Sequence, residues 1–204
     1  MIPDGARVFV VDDDASFVRS TLRLLASWGI EAEGFTSASE FLAHGPGDGP
    51  ACALVDLRMP GVNGFDLQEA LSRGRRSLPI VFMSGHTDAQ PGVDAMLRGA
   101  IDFLTKPVGE QRLLAAVERA LAADARERAE RGRRDEAQAR LRRLPERQRV
   151  ICELVTSGMG DEEIAAALGA SAITVRALRN GAMRALGAAT VVELLRIVET
   201  ATAA

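Results

Sequence analysis

Polar side chains stand where four apolar runs stop. Val8 to Val11 ends in Asp12, Asp13 and Asp14. Ala51 to Val55 ends in Asp56, Ile80 to Met83 ends in Ser84, and Ala100 to Leu104 leads into Thr105, Lys106 and Pro107. An aspartate can attack phosphorus and become an acyl phosphate. That step gathers negative charge and calls for a divalent cation to neutralise it. Magnesium takes a few carboxylate or carbonyl oxygens and keeps several waters. Asp12, Asp13 and Asp56 can supply the carboxylates, and the backbone carbonyl of Arg58 is within reach by sequence. Lys106 suits one phosphoryl oxygen and the Ser84 hydroxyl another. Of 25 lysines and arginines, Lys106 is the only lysine. A compact ammonium and a planar guanidinium are not equivalent at a tight anionic site. If Asp12 to Asp14 served only to cap a helix, just part of this pattern would be explained. A metal-dependent phosphohydrolase would share the acids, but no general acid is evident.

Elements must bring these residues together. Residues 6–11, Glu31 to Phe35, Ala51 to Asp56, Ile80 to Met83 and Ala100 to Leu104 read as strands, the last alternating at Asp102 as an edge strand does. Between them, Ala15 to Trp28, Ser37 to Ala43, Gly64 to Arg73, Asp88 to Leu97 and Glu110 to Ala122 read as helices. Strands alternating with helices predict a doubly wound, five-stranded parallel α/β domain over residues 1–122. In such a sheet the strand ends meet in one crevice, where ligands bind. Residues 123–142 are charged and alanine-rich, and read as a solvated helical linker that extends the fifth helix, with Gly132 its weak point. Four short helices fill residues 143–204: Glu146 to Thr156, Asp161 to Leu168, one capped by Ser171 and running to Leu186, and one opened by the capping box Thr190 to Glu193. Two of them joined through Gly169 and Ala170 predict a helix-turn-helix.

Composition bounds the rest. The chain of 204 residues is 47% hydrophobic and 26% charged, and no apolar run approaches the ~18–20 residues that span a bilayer. No signal segment is visible, so a cytoplasmic location is expected. Cys52 and Cys152 sit in apolar surroundings and read as free buried thiols. Residues 1–122 carry 11 basic and 16 acidic side chains, net −5, and residues 123–204 carry 14 and 12, net +2. The acidic half suits a metal, and the basic half permits contact with nucleic acid.

Val10 to Asp14, Val55 to Pro60, Ser84 to His86 and Gly99 to Pro107 together resemble the receiver domain of two-component response regulators, whose fold is flavodoxin-like. The resemblance covers residues 6–122. It implies a phosphoacceptor and not an enzyme: a sensor histidine kinase phosphorylates Asp56, Asp12 and Asp13 organise Mg2+, and Asp14 helps. It also implies that Ser84 and Lys106 sense the phosphoryl group, that Phe103 is the switch aromatic, and that the Lys106–Pro107 peptide is cis. His86 stands as a modulator of phosphoryl lifetime or a plain loop histidine. His44 reads as a surface residue at a helix end.

Residues 144–200 resemble the LuxR-type helix-turn-helix of the FixJ/NarL branch, through Leu144 to Arg147, Gly158-Met159, Glu163 to Ala165, Leu168-Gly169, Ser171, Thr174-Val175, Met183 and Leu186. This implies a dimer formed on phosphorylation that binds promoter DNA. Val175, Leu178, Ala182 and Leu186 face inward on the recognition helix. Ser171, Thr174, Arg176, Arg179, Asn180 and Arg184 are the candidates for DNA contact. The branch departs here from its usual pattern. Asp161-Glu162 stands where Asn-Lys is common, Leu178 replaces a histidine, and Gly181 sits in mid-helix. Acids near phosphate oppose binding. The alternative is a phosphorylation-controlled module that binds a protein partner and has lost most DNA affinity.

Overall fold

The structure is a computed structural model that describes residues 2–47, 49–73, 78–85 and 89–202. It divides into two compact units, Met1–Arg128 and Ala129–Ala204.

In the first unit, strands β1 (Arg7–Val11), β2 (Glu31–Phe35), β3 (Ala51–Asp56), β4 (Ile80–Ser84) and β5 (Asp102–Thr105) form one parallel sheet in the order β2-β1-β3-β4-β5. The order reverses between β1 and β3, so the crevice at their carboxyl ends is the topological switch point. The inner strands are apolar because both faces are covered: β3 and β4 are buried throughout, and β1 beyond Arg7, whereas the edges β2 and β5 are largely half-buried. Alternation divides the core in two. Phe9, Val11, Val55 and Phe82 join Phe41 and Leu67 on one face. Val8, Val10, Leu54 and Met83 join Val18, Leu25 and Leu121 on the other.

Helices α1 (Ala15–Ser27), α2 (Ala38–His44), α3 (Gly64–Ser72), α4 (Ala89–Leu97) and α5 (Glu110–Arg142) cover the sheet. Local chemistry sets their ends. Asp14 caps α1 through the N–H groups of Ser16 and Phe17, Ser37 caps α2, and Asn63 and Asp66 form a reciprocal box at α3. Gly29, at a φ of 73°, closes the turn after Trp28, which caps α1 and does not extend it. β5 begins two residues later than its apolar run, because Gly99 and Ala100 donate to Met96 and Ala95 and finish α4. β4 runs one residue further, to Ser84. Asp88, the expected start of α4, lies outside the described residues, as does His86.

The linker expectation merges with the fifth helix: α5 is continuous through Gly132 to Arg142. In the second unit, α6 (Glu146–Thr156), α7 (Asp161–Leu168), α8 (Ala172–Leu186) and α9 (Val191–Thr202) close on Ile151, Ile164, Val175, Ala182, Leu186 and Leu194. The capping box at α9 is displaced: Thr190 Oγ1 accepts from the Glu193 N–H, but the Glu193 carboxylate accepts from Ala189 and not from Thr190. Cys52 and Cys152 are free and buried. Burial, then the charge of Asp124, pushes the Cys52 thiol far up, and burial pushes Cys152 to about 11, so neither is reactive. No helix among the described residues is long and apolar enough to cross a membrane.

Candidate functional site

Parallel pairing delivers Asp12, Asp13, Asp56, Ser84 and Lys106 to one end of the sheet. Val11 is in register with Val55, so Asp12 and Asp56 leave neighbouring strands side by side. Asp56 pairs with Met83, which puts Ser84 one residue beyond. Ser84 in turn pairs with Thr105, and the Ser84 carbonyl accepts from the Lys106 N–H at 2.8 Å. The Lys106–Pro107 peptide is cis.

Lys106 then reaches back across the crevice. Its Nζ donates to Asp12 Oδ2 at 2.5 Å and to Asp56 Oδ1 at 2.6 Å. Asp56 Oδ2 accepts from the Arg58 N–H at 2.7 Å, so both of its oxygens are engaged. Asp12 Oδ1 accepts from the Asp14 N–H at 3.0 Å. Asp12, Asp56 and Ser84 are all buried. Burial raises the Asp12 carboxyl above its ordinary value, and the neighbouring Asp56 charge adds to this; the bonds from Lys106 and Asp14 oppose the shift without cancelling it. At Lys106 burial acts downward, but the two carboxylates outweigh it and its pKa rises. Hydrogen bonds from Ser16 and Phe17 hold exposed Asp14 below the ordinary carboxylate range, which suits a helix cap.

Asp13 is exposed and lines an open groove with Arg58, Met59, Asn63 and Asp94. Among the described residues no three acids already stand together as a preformed metal cage. The donors are two buried carboxylates bridged by an ammonium, with Asp13 and Arg58 on the groove wall. Hard oxygen donors, few in number and beside open water, fit magnesium, which keeps part of its hydration. Burial, which raises the Asp12 carboxyl, disfavours its charged form, and a cation beside it would favour that form.

Two features of this site have no local sequence signal. The Phe17 ring lies 4.2 Å from Lys106 Nζ, a cation–π contact from the first turn of α1. Phe103 is half-buried on β5 and sits so close to α4 that a Cβ on Gly92 would lie 3.3 Å from its ring. His44, at the end of α2, lies 3.4 Å from Glu33 and against Phe9 and Phe35, a helix-end surface residue as expected.

The second unit places its own candidates on α8. Ser171 caps the helix and shares a hydrogen bond with Thr174 at 2.9 Å. Arg176, Asn180 and Arg184 are exposed. Arg179 is not simply outward: only 23% of its side chain is exposed, and its Nε is buried without a partner among the described residues. Asp161, which the sequence presents as a repulsive acid, accepts from Arg179 Nη1 at 2.7 Å and from Arg176 Nε at 3.2 Å. Leu178 is half-buried against the core. A Cβ at Gly181 would stand 2.8 Å from Gln148 Nε2 of α6, the far end of a flexible side chain that can give way.

Known proteins resemble this chain in sequence and in fold. The response regulator receiver domain matches residues 8–118, and the luxR family of bacterial regulatory proteins matches residues 142–198. Nodulation protein W of Bradyrhizobium diazoefficiens is 40% identical over 202 residues, covering 96% of this chain and 86% of that protein. The transcriptional regulatory protein FixJ of Azorhizobium caulinodans is 34% identical over 196 residues, covering 96% and 93%. The solved structure of the response regulator StyR matches with a TM-score of 0.80 at 38% identity, covering 95% of this chain and 98% of that one.

Proposed function

The chain belongs to the two-component response regulators that join a receiver domain to a LuxR-type DNA-binding domain, and we propose that it is switched by phosphorylation of Asp56 from a sensor histidine kinase. The observation that carries this is the double engagement of Asp56 at the end of β3, by Lys106 on one oxygen and the Arg58 N–H on the other. A carboxylate oxygen of Asp56 attacks the phosphorus of a phosphohistidine. The P–O bond forms as the P–N bond breaks, and the electron pair returns to the imidazole. Asp12, Asp13, Asp56 and the Arg58 carbonyl hold Mg2+, which supplies neutralising charge when bound. Lys106 moves one of its hydrogen bonds from carboxylate to phosphoryl oxygen, and the Ser84 hydroxyl donates to another. Phe103 follows Ser84 and alters the face of α4 and β5.

That face is built to pair. Leu97 is 81% exposed, and Val93 and Met96 are exposed beside it on α4, an apolar stripe that suits a phosphorylation-dependent homodimer. The functional division is a receiver over 1–122, a linker over 123–142 and a DNA-binding domain over 143–204, acting in the cytoplasm on promoter DNA. Ser171, Thr174, Arg176, Asn180 and Arg184 are the first DNA contacts, with Arg179 held back by Asp161.

Acetyl phosphate with Mg2+ tests the acceptor. The full chain should gain one phosphoryl group by mass, labile to hydroxylamine, and Asp56→Asn should gain none. Full incorporation in Asp56→Asn would exclude Asp56 as the acceptor. The engagement of two arginines by Asp161 favours a second reading, a helical domain that binds a protein partner. Salt separates the two, because affinity for DNA falls steeply with salt when phosphates are bound. A chain with no DNA affinity at low salt would support the protein module.

A further inference from the structure

Helix α8 carries its exposed side chains in a stripe. Ile173, Arg176, Ala177, Asn180 and Arg184 recur at helical spacing and are all exposed, while Val175, Ala182 and Leu186 fill the core behind them. Ile173 stands out on this face. It is 80% exposed, more than any other large apolar side chain described in the second unit. Lone exposed apolar residues are ordinary on protein surfaces. This one lies in the first turn of the helix, flanked along the stripe by arginine and asparagine, and the N-terminal residues of a recognition helix are the ones that meet base edges.

Asp161 sorts the arginines beside it. Arg179 donates from its terminal Nη1 and is largely withdrawn from solvent. Arg176 donates from Nε at 3.2 Å and is exposed, so its terminal Nη pair is not spent on that bond. The free edge of the helix therefore offers an apolar group at Ile173, a guanidinium at Arg176 and an amide at Asn180. In the major groove of DNA the apolar feature is the thymine 5-methyl group, and the usual partner of a guanidinium is guanine. Residues i and i+3 on a helix stand about 5–6 Å apart at Cβ, which spans one to two base steps of about 3.4 Å.

We propose that Ile173 is a specificity-determining residue, whose side chain covers the methyl group of a thymine one or two base pairs from a guanine held by Arg176. The proposal rests on the DNA-binding reading given above. Arg184 further along the stripe adds positive charge that matches the phosphate backbone.

The test uses the full chain activated with Mg2+ and beryllofluoride, and a selection from random duplex DNA. Each thymine in the enriched site is then replaced singly by deoxyuridine, which lacks only the methyl group. At one thymine per half-site, one or two base pairs from a guanine, this change should weaken binding about four-fold, the value of one buried methylene-sized group. Ile173→Ala is at an exposed helical position and favours the helix. It should bind the thymine duplex about four-fold less tightly per half-site, about sixteen-fold for the dimer on two half-sites, and be indifferent to deoxyuridine at that same position. If the parent chain tolerates deoxyuridine everywhere, or Ile173→Ala keeps full affinity and the same deoxyuridine effect, the thymine contact is overturned and DNA binding stands. If no sequence is enriched, the DNA-binding reading falls with it, and the Ile173 face is turned to a protein partner.

Discussion

One ammonium serves two buried carboxylates at the end of the sheet. Lys106 lies 2.5 Å from Asp12 and 2.6 Å from Asp56, and its own side chain is only 20% exposed. Removing it leaves two negative charges in a desolvated crevice. Lys106→Met should therefore destabilise the receiver by about 3 kcal/mol at pH 8, the lower end of the range for breaking a buried ion pair. The pH dependence follows from the direction of each shift. Asp12 binds its proton more tightly folded than unfolded, so its contribution to stability falls as pH rises from the ordinary value of 3.8 through the raised one. Without Lys106 the ammonium that pulls the Asp12 pKa down is gone, and that window moves further up. Lys106 itself is raised above 10.5, so in the parent its contribution is full below that value and is lost only as pH climbs through its folded value. Thermal unfolding should show the deficit of Lys106→Met shrinking as pH is lowered from 8 towards 3.8, the ordinary value that the Asp12 carboxyl exceeds in the folded chain. A deficit that stays constant over that range would mean the two carboxylates do not share the lysine's charge.

Two glycines show how elements hold the site. Gly34 of β2 lies under α1, where a Cβ would run into Val18 and come 3.0 Å from Leu22 Cδ1. Gly64 opens α3, where a Cβ would stand 2.8 Å from the Asp56 carbonyl and 3.1 Å from Leu57 Cα. Overpacking at either should cost about 1–3 kcal/mol. The neighbours differ, however, and so should the consequences. Gly34→Ala strains side chains on the far side of the sheet, and phosphorylation by acetyl phosphate should proceed at the parent rate. Gly64→Ala presses on the backbone that carries the acceptor, and the rate should fall together with melting temperature. Equal rates in both variants would show that α3 does not set the acceptor's position. The sequence made the order of elements legible, because apolar runs ending in acids, glycine stops and capping residues are all local signals. It also made Asp12, Asp56, Ser84 and Lys106 legible as a group, since parallel strands end on one side. It did not reveal what depends on crossing elements: the clamp of Asp161 on residues 15 and 18 positions away, the Phe17 ring over Lys106, or the approach of Gln148 to Gly181. The late start of β5 was hidden because Ala100 is apolar enough for a strand yet closes α4.

Charge at the scale of the whole chain limits how the signal can travel. The first 122 residues carry a net −5 and the remainder +2. In the proposed switch, phosphoryl transfer to Asp56 would add negative charge and Mg2+ would add positive charge beside it, so the net field of the receiver would change little. At physiological ionic strength such fields are screened over about 8 Å. Coulomb forces from the phosphoryl group therefore do not switch DNA affinity by themselves. The proposed pairing of receivers would, because two tethered α8 helices would meet two half-sites at a high effective concentration, and linked binding of this kind gains roughly 10²–10⁴-fold without any new contact. Activation by beryllofluoride and Mg2+ should then strengthen binding to a duplex with two half-sites at least ten-fold, yet leave binding to a single half-site unchanged. The salt dependence per half-site should be the same before and after activation, since the same arginines meet the same phosphates. Fluorescence anisotropy on the two duplexes, at several salt concentrations, measures both quantities. An equal gain on the single half-site would show that phosphorylation uncovers the reading face of α8 within one chain, and the exposed stripe of Val93, Met96 and Leu97 would lose its role as the relay.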